Sequence, residues 1–302
     1  MTTLPANAAM LVRRAAIVRA VRAFFEAEAF LEVQTPMRLR APLPERHIDA
    51  VPADGMYLAT SPEPHMKRLL AAGHPRIVQL SPCFRKGERG ARHLPEFTML
   101  EWYRAEADYL KLITDAQALL RAVCQAVCGR SQIVYQGTCV NIAAPWEFLT
   151  VDDAYQRHAD WRLASAPDAF RFDCAMARTI EPHLGLGQPT VLHQYPLCFC
   201  PMAAPLADRP DRAARCEIYV AGLELANGCT ERRDPAAQTA ALRDEQAARR
   251  ATQQDVYPWP DAFVAALPAL PPCAGMALGL DRLVMLLCDA PRIEDVVAFV
   301  EE

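Results

Sequence analysis

The chain has 302 residues, of which 52% are apolar and 23% charged, a composition that excludes a wholly disordered or fibrous protein. The formal net charge of −4 means that the protein has no global positive field, which argues against DNA as a partner. Binding of RNA would require a local basic patch. The eleven cysteines form no Cys-x-x-Cys pair, and no uninterrupted apolar run predicts a signal peptide or a membrane span. We therefore expect reduced thiols and a cytoplasmic location.

The first predicted elements are a helix and a strand. The helix is indicated by apolar residues that recur at intervals of three and four, namely Leu11, Ala15, Val18, Val21 and Phe25. It should end near Glu28. Residues 30 to 36 then alternate apolar and polar side chains and stop at Pro36, which predicts a strand that enters a turn.

Short apolar runs predict strands at residues 56–59, 77–80 and 97–102, with a helix at 63–72 between the first two. A long amphipathic helix is predicted over 109–127, with Gly129 closing it.

Residues 130–190 show a less regular pattern, typical of an insertion or a cover. Beyond them, a strand pair is predicted at 216–220 and 223–225, a helix at 236–252 and a loop at 259–272. Strands and helices do not alternate regularly, so the sequence predicts an α+β fold. We expect one domain over residues 1–302, with a mostly antiparallel sheet flanked by helices.

Three segments carry residues suited to chemistry. Residues 81–104 read as two strand ends around a basic loop with glycines, which could present cations to a polyphosphate or form an ordinary solvated hairpin. Residues 275–286 place Arg282 at the start of an apolar helix behind Gly279, an arrangement that also fits a helix cap. Residues 222–231 place Glu224 and Glu231 around a predicted turn at Asn227-Gly228. Such acids bind Mg²⁺ or an ammonium group, or simply lie on the surface.

In this order the segments resemble the three signature motifs of class II aminoacyl-tRNA synthetases: residues 30–36 resemble motif 1, residues 84–103 motif 2 and residues 279–282 motif 3. The sequences of residues 60–63, 93–103 and 222–228 resemble those of the lysyl-tRNA synthetase branch and, within it, the elongation factor P–lysine ligase family. The resemblance covers residues 11–299 and leaves no room for the anticodon-binding OB domain of true lysyl-tRNA synthetases. The ligase family is therefore favoured.

The resemblance implies an enzyme that activates lysine or (R)-β-lysine with ATP and Mg²⁺ and passes the acyl group to a lysine of elongation factor P. It implies that Arg85 clamps the α-phosphate and Arg282 the γ-phosphate as catalytic residues. Phe97 would stack on adenine, and Glu224, with Glu231, would bind Mg²⁺. The residues implied to bind ATP are Arg85, Lys86, Gly87, Glu88, His93, Leu94, Phe97, Glu224, Leu225, Gly279 and Arg282.

The resemblance also implies a binding site for the amino acid. Its residues are Ser61, Pro62, Glu63, Glu101, Tyr103, Asn227, Glu231 and Ala277. Glu63 and Tyr103 match residues that receive the ε-ammonium, and Glu101 matches one near the α-amine. Ala277 stands where lysyl-tRNA synthetases commonly have glycine, and its methyl group would reshape the pocket in a family that prefers β-lysine.

The chain departs from the family pattern at three places. Gly87 replaces the first acid of motif 2, and Leu94 replaces an asparagine. Residues 229–232 differ from the sequence that the family usually has at these positions. Two alternatives stay open. One is a ligase that charges tRNA or a tRNA-like acceptor, which the acidic charge and missing anticodon domain argue against. The other is a non-catalytic regulatory paralogue. Motif 1 further implies a homodimer.

Overall fold

A computed structural model describes residues 8 to 301 of the chain. The helices are α1 (Ala8–Ala27), α2 (Glu63–Ala71), α3 (Tyr109–Cys128), α4 (Val151–His158), α5 (Ala169–Ala175), α6 (Pro235–Ala251), α7 (Asp261–Val264) and α8 (Leu280–Cys288). The strands are β1 (Leu31–Glu32), β2 (Arg38–Leu39), β3 (Pro52–Ala53), β4 (Met56–Leu58), β5 (Arg76–Phe84), β6 (Glu96–Ala105), β7 (Gln132–Tyr135), β8 (Thr138–Asn141), β9 (Glu147–Thr150), β10 (Thr190–His193), β11 (Arg215–Val220), β12 (Leu223–Thr230) and β13 (Cys273–Gly279).

An eight-stranded sheet in the order β1-β5-β6-β13-β12-β11-β10-β9 forms the centre of the fold. Its neighbours are antiparallel except at the two outer pairs, β1 with β5 and β9 with β10. A smaller sheet joins β2, β4 and β3, and β7 pairs with β8 in a hairpin. The predicted α+β class with a mostly antiparallel sheet is confirmed.

The two faces of the central sheet have different roles because side chains alternate along a strand. On β6, Leu100 and Trp102 pack into the large apolar core with α1, α3 and α8. Glu101 and Tyr103, which alternate with them along the strand, line a cavity on the opposite face. The helices therefore support the sheet from behind, and the other face is left for a ligand.

Helix α1 lies where the sequence predicts a helix, and the second half of the predicted stripe is buried or packed on the core while the first half is not. Ile17, Val21 and Phe25 form the buried face, whereas Leu11 and Ala15 are exposed. Helix α3 matches its prediction more closely: the Asp108 carboxylate accepts a hydrogen bond from the Lys111 N–H, and Gly129 ends the helix in the left-handed conformation.

Two predicted elements differ in the structure. The strand at 30–36 is reduced to the two residues of β1. The Val33 N–H still donates to the Val78 carbonyl, and the chain then leaves the sheet before Pro36, which has no N–H to donate. Residues 130–190 contain more regular structure than their sequence indicates, including the β7–β8 hairpin, β9, α4 and α5.

The expected turn at Asn227-Gly228 is wrong, because both residues lie inside β12 and pair with β11 and β13. A Cβ at Gly228 would lie 2.9 Å from the Gly275 carbonyl oxygen, so glycine permits close strands here rather than a turn. The turn that does form, between β11 and β12, uses Ala221 and Gly222, both at positive φ.

Between residues 8 and 301, no helix is both long and apolar enough to cross a membrane.

Candidate active site

A cavity of about 650 Å³ lies on the open face of the central sheet. Residues of β6, β12 and β13 form its floor, and the loop from Arg85 to Pro95 forms part of its wall. The loop that joins β2 to β3 contributes Glu45 and Ile48. Arg85, His93 and Arg282 gather at one end of the cavity, together with the carboxylates of Glu88 and Glu224. Glu63, Glu101 and Glu231 form an acidic cluster at the other end, so the two ends suit different parts of a ligand.

Arg85 follows β5 and points its guanidinium toward Phe97 of β6, 5.1 Å from the ring centroid. Its only ion pair among the described residues is with Glu88, at a long 3.7 Å, and its buried Nε has no hydrogen-bond partner. A buried donor without an acceptor is costly, so this arginine is suited to an anionic ligand.

Arg282, at the start of α8, is held at the same end of the cavity by hydrogen bonds to Glu224 and His93. Its Nη1 donates to the Glu224 carbonyl at 2.7 Å and to the Glu224 carboxylate at 3.0 Å. Its Nη2 donates to His93 Nε2 at 2.7 Å, which requires that nitrogen to be unprotonated. Burial and the charge of Arg282 lower the pKa of His93, in agreement with that role. The guanidinium is thus fixed in place before any ligand arrives.

Asp281, the residue before this arginine, anchors the start of α8. It is buried, accepts a hydrogen bond from the Thr98 N–H at 2.7 Å and forms an ion pair with Arg14 of α1 at 2.6 Å. The aspartate therefore ties α8 to β6 and α1, which places Arg282 relative to Phe97.

At the acidic end, Lys67 of α2 joins two carboxylates. Its ammonium lies 2.5 Å from Glu63 and 2.5 Å from Glu231, and only 3% of its side chain is exposed. Burial alone would lower the pKa of Lys67, but the charges of Glu231 and Glu63 outweigh burial and hold the pKa well above its usual value. Two acids share one internal cation, so this end carries a net negative charge when both are ionised.

Glu101 on β6 lies beside this cluster and uses both carboxylate oxygens. One accepts a hydrogen bond from the Ser61 hydroxyl at 2.8 Å and the other from the Tyr103 hydroxyl at 2.7 Å. Burial and the nearby charge of Glu63 raise the pKa of Glu101 to about 8. Gly275 on β13 leaves room for the tyrosine, because a Cβ there would lie 2.1 Å from its ring.

A third group of polar residues fixes Asn227 at the middle of the floor. Arg215 donates to the Asn227 side-chain oxygen at 3.1 Å and forms an ion pair with Glu217 at 2.5 Å. Glu217 in turn accepts hydrogen bonds from Tyr195 at 2.5 Å and Tyr219 at 2.7 Å. This network sets the direction in which the Asn227 amide faces the cavity.

The structure gathers nearly all the residues predicted from the sequence around this one cavity. Those that line it are Ser61, Glu63, Arg85, Gly87, Glu88, His93, Leu94, Phe97, Glu101, Tyr103, Glu224, Leu225, Asn227, Glu231, Ala277, Gly279 and Arg282. Two others do not line it: Lys86 points to Asp255 outside the cavity, and Pro62 caps α2.

Sequence reasoning missed Glu45, Arg215 and Gly275, which line the cavity. It also missed Lys67, which does not line the cavity but pairs with two of its carboxylates. Lys67 carried a usable signal, since a lysine four residues after Glu63 on a helix lies on the same face. Glu45 carried no signal, because it lies in a loop whose path depends on the rest of the fold.

The side chains of the cavity offer few ligands for a magnesium ion. Across residues 8–301 no group of three or more His, Cys, Asp or Glu side chains could hold a metal by itself. Glu224 is partly exposed at the basic end and is free to supply one oxygen, whereas the Glu231 carboxylate is joined to Lys67. Since Mg²⁺ is often bound by one or two carboxylates plus substrate phosphates, Glu224 fits a magnesium ion that arrives with a nucleotide.

Comparisons with known proteins agree with this geometry. Residues 2–302 match the family model described as tRNA synthetases class II (D, K and N). The chain is 38% identical to the elongation factor P–(R)-β-lysine ligases of Pectobacterium carotovorum and Pectobacterium atrosepticum, over 97% of this chain and 95% of each relative. It is 33% identical to the lysine–tRNA ligase of Moorella thermoacetica, but spans only 64% of that protein's length. The chain therefore belongs to the class II tRNA synthetases, as a ligase of the group that contains the elongation factor P–(R)-β-lysine ligases.

Proposed function

We propose that this ligase activates lysine or (R)-β-lysine with ATP and transfers the acyl group to a lysine side chain of elongation factor P. The observation that supports it most strongly is the polarity of the cavity. Arg85 and Arg282 lie at one end, whereas Glu63, Glu101 and Glu231 lie at the other. A diamino acid with one carboxylate and a nucleotide triphosphate together match this distribution of charge.

In the first step, an oxygen of the substrate carboxylate attacks the α-phosphorus of ATP. The new bond is the carboxyl–phosphate bond of the adenylate, and the bond that breaks releases pyrophosphate. Arg85 would hold the α-phosphate and Arg282 the γ-phosphate, so that charge on the transferring group is neutralised by side chains already in place. Mg²⁺, when bound at Glu224 with the phosphates, would add further positive charge.

In the second step, a neutral amine of the acceptor attacks the carbonyl carbon of the adenylate, and AMP leaves. No side chain of the cavity is assigned as a nucleophile, since the substrate carboxylate and the acceptor amine make the new bonds. Catalysis in this scheme is mainly positioning and charge neutralisation.

The acidic end should reject amino acids without a second amine. Norleucine would leave an unmatched negative charge on the carboxylates around Lys67, in a buried site. The free-energy penalty of that unpaired charge exceeds the binding free energy that its apolar contacts contribute. Ala277 lies opposite Glu101 in the register of β13 and β6, so its methyl group borders the amine-binding region. This placement supports a role in the choice between lysine and β-lysine.

Elongation factor P as acceptor is supported by the names of the Pectobacterium relatives, which align over nearly their whole length. The second candidate is transfer to tRNA, which the name of the Moorella relative favours. A purely regulatory role is disfavoured because both arginines are present and pre-positioned. We further propose that the enzyme works in the cytoplasm as a homodimer.

The test is pyrophosphate exchange by the purified protein with lysine, (R)-β-lysine and norleucine, followed by addition of elongation factor P or tRNA. Exchange with a diamino acid and a mass increase of one acyl group on elongation factor P would support the proposal. Transfer to tRNA alone would replace the acceptor, and no exchange with either diamino acid would refute the proposed reaction.

A further inference from the structure

The loop between β2 and β3 is a built part of the cavity wall. Arg249 of α6 is completely buried and donates hydrogen bonds to the carbonyls of Glu45 at 2.7 Å and Ile48 at 3.1 Å. It also binds the Asp49 carboxylate at 2.6 Å, and the Asp49 carbonyl accepts from the Lys86 N–H at 2.7 Å. The loop is thereby fixed both to α6 and to the residue next to Arg85.

Glu45, on this loop, differs from the other acids of the cavity. Those acids all have partners: Glu63 and Glu231 pair with Lys67, Glu101 with Ser61 and Tyr103, Glu88 with Arg85, Glu224 with Arg282, and Asp281 with Arg14. The partly buried Glu45 carboxylate has neither a hydrogen bond nor an ion pair with any residue between 8 and 301. Burial and the charge of Glu63 raise the pKa of Glu45 to about 7. An ammonium group from a ligand would satisfy it.

The position of Glu45 indicates which ammonium group it would meet. Glu45, Glu63 and Arg85 line the same cavity, and the charges of Glu63 and Arg85 act on Glu45 more strongly than those of other residues, so its carboxylate lies near both. In the proposed reaction the substrate carboxylate must reach the phosphate held by Arg85. The amine nearest that carboxylate then comes closest to Glu45.

We infer that the Glu45 carboxylate binds the amino group nearest the substrate's carboxylate, which is the C2 amine of lysine or the C3 amine of β-lysine. This assignment rests on the proposed diamino acid substrate. Glu45 is then a specificity-determining residue, and Arg249 is the positioning residue that holds its backbone.

The test uses 6-aminohexanoate, which is what either diamino acid becomes when that one amine is removed. Affinities for lysine, β-lysine and 6-aminohexanoate are measured by calorimetry with α,β-methylene-ATP bound, so that no adenylate forms. In Glu45→Gln, which keeps the size of the side chain, the affinity for the preferred diamino acid should fall about tenfold or more. The affinity for 6-aminohexanoate should change by less than about threefold.

Asp244→Asn is the matched control, because it removes one negative charge from an exposed position on α6, next to the helix's contact with this loop. It should bind all three compounds as the unmodified protein does. Equal losses for the diamino acid and for 6-aminohexanoate in Glu45→Gln, or no loss at all, would overturn the role of Glu45 and leave the proposed function standing. If the unmodified protein binds neither diamino acid, both proposals fail.

Discussion

Arg282 has side-chain contacts that hold its guanidinium where the proposed nucleotide phosphate would bind. Its guanidinium is held in the cavity by Glu224 and His93, which fixes the position of its positive charge. We expect Arg282→Ala to reduce lysine-dependent pyrophosphate exchange by more than about tenfold, since a charged hydrogen bond contributes about 1.5–3 kcal/mol. Arg157→Ala is the control, because Arg157 forms an exposed ion pair with Glu147 far from the described cavity residues. Full exchange activity in Arg282→Ala would contradict the assignment.

The raised pKa of Glu101 makes a second prediction at the scale of single residues, for the dependence of lysine binding on pH. At pH 6.5 a carboxyl with a pKa of about 8 is mostly protonated, and an ammonium group binds the ionised form better. The affinity for the diamino acid should therefore increase by about tenfold between pH 6.5 and 8.5. Calorimetric titrations at several pH values measure this change. In Glu101→Gln the increase should be smaller, and an equal increase in both proteins would assign it to other groups.

The raised pKa of Glu101 also affects the stability of the ligand-free protein, which should decrease as the pH rises, whereas the affinity for the ligand should increase. The pKa of Glu101 is higher in the folded state than its ordinary value of 4.5, so the folded state keeps a proton that the unfolded chain releases. The contribution of this group to the free energy of unfolding is complete below pH 4.5 and is lost as the pH rises toward 8. Glu45 and Glu231, whose pKa values are raised to about 7, act in the same direction.

At the scale of elements, α6 stabilises the cavity wall through one side chain. The guanidinium of Arg249 is enclosed by the loop after β2, the Asp255 carbonyl and the Tyr257 hydroxyl. Arg249→Leu should lower the free energy of unfolding by about 3 kcal/mol, because the carbonyls and the Asp49 carboxylate lose their donor. The neighbouring Arg250 is exposed and bonds only the Gln246 side chain among described residues, so Arg250→Leu should cost less than about 0.5 kcal/mol. Urea denaturation measures both values, and similar losses would show that Arg249 has no special role.

Elements with a strong local pattern were predictable from the sequence, and those that depend on tertiary contacts were not. Helix α3 has an apolar stripe and caps at both ends, and all three signals are local. The Asn227-Gly228 pair has the local signature of a turn, yet the close approach of β13 requires glycine in a straight strand. Similarly, β9 and β10 complete the central sheet only because β11 is there to pair with β10.

The candidate site shows the same division. Some residues of the site belong to motifs that can be recognised from the sequence alone, namely Arg85, Glu101 and Arg282. The structure gathers them around one cavity. Glu45 and Arg249 are about 200 residues apart in the chain and meet only through the fold. Arg249 matters because it is buried and its donors are all engaged, and Glu45 because its carboxylate has no partner among residues 8–301. A single sequence displays neither property.

At the scale of the whole molecule, the chain leaves apolar side chains exposed on α1 and on β1, the strand that lies in motif 1. On α1, Val12 is 66% exposed, and Leu31, on the edge strand β1, is 51% exposed. An edge strand with an exposed leucine is a surface that favours association, because its unpaired backbone groups and its apolar side chain are both open to a second chain. A twofold contact would use the same surface of both copies.

We therefore expect sedimentation equilibrium to give a mass of twice the 33.5 kDa of one chain. Leu31→Asp should shift the protein toward the monomer, because each copy would place a charge in the contact and a twofold interface would bring two such charges together. Phe170→Asp is the matched control, since Phe170 is 78% exposed on α5 and lies outside motif 1. Its mass should equal that of the unmodified protein. A dimer that persists in Leu31→Asp but dissociates in Phe170→Asp would move the interface away from α1 and β1, and a monomer for the unmodified protein would refute the dimer.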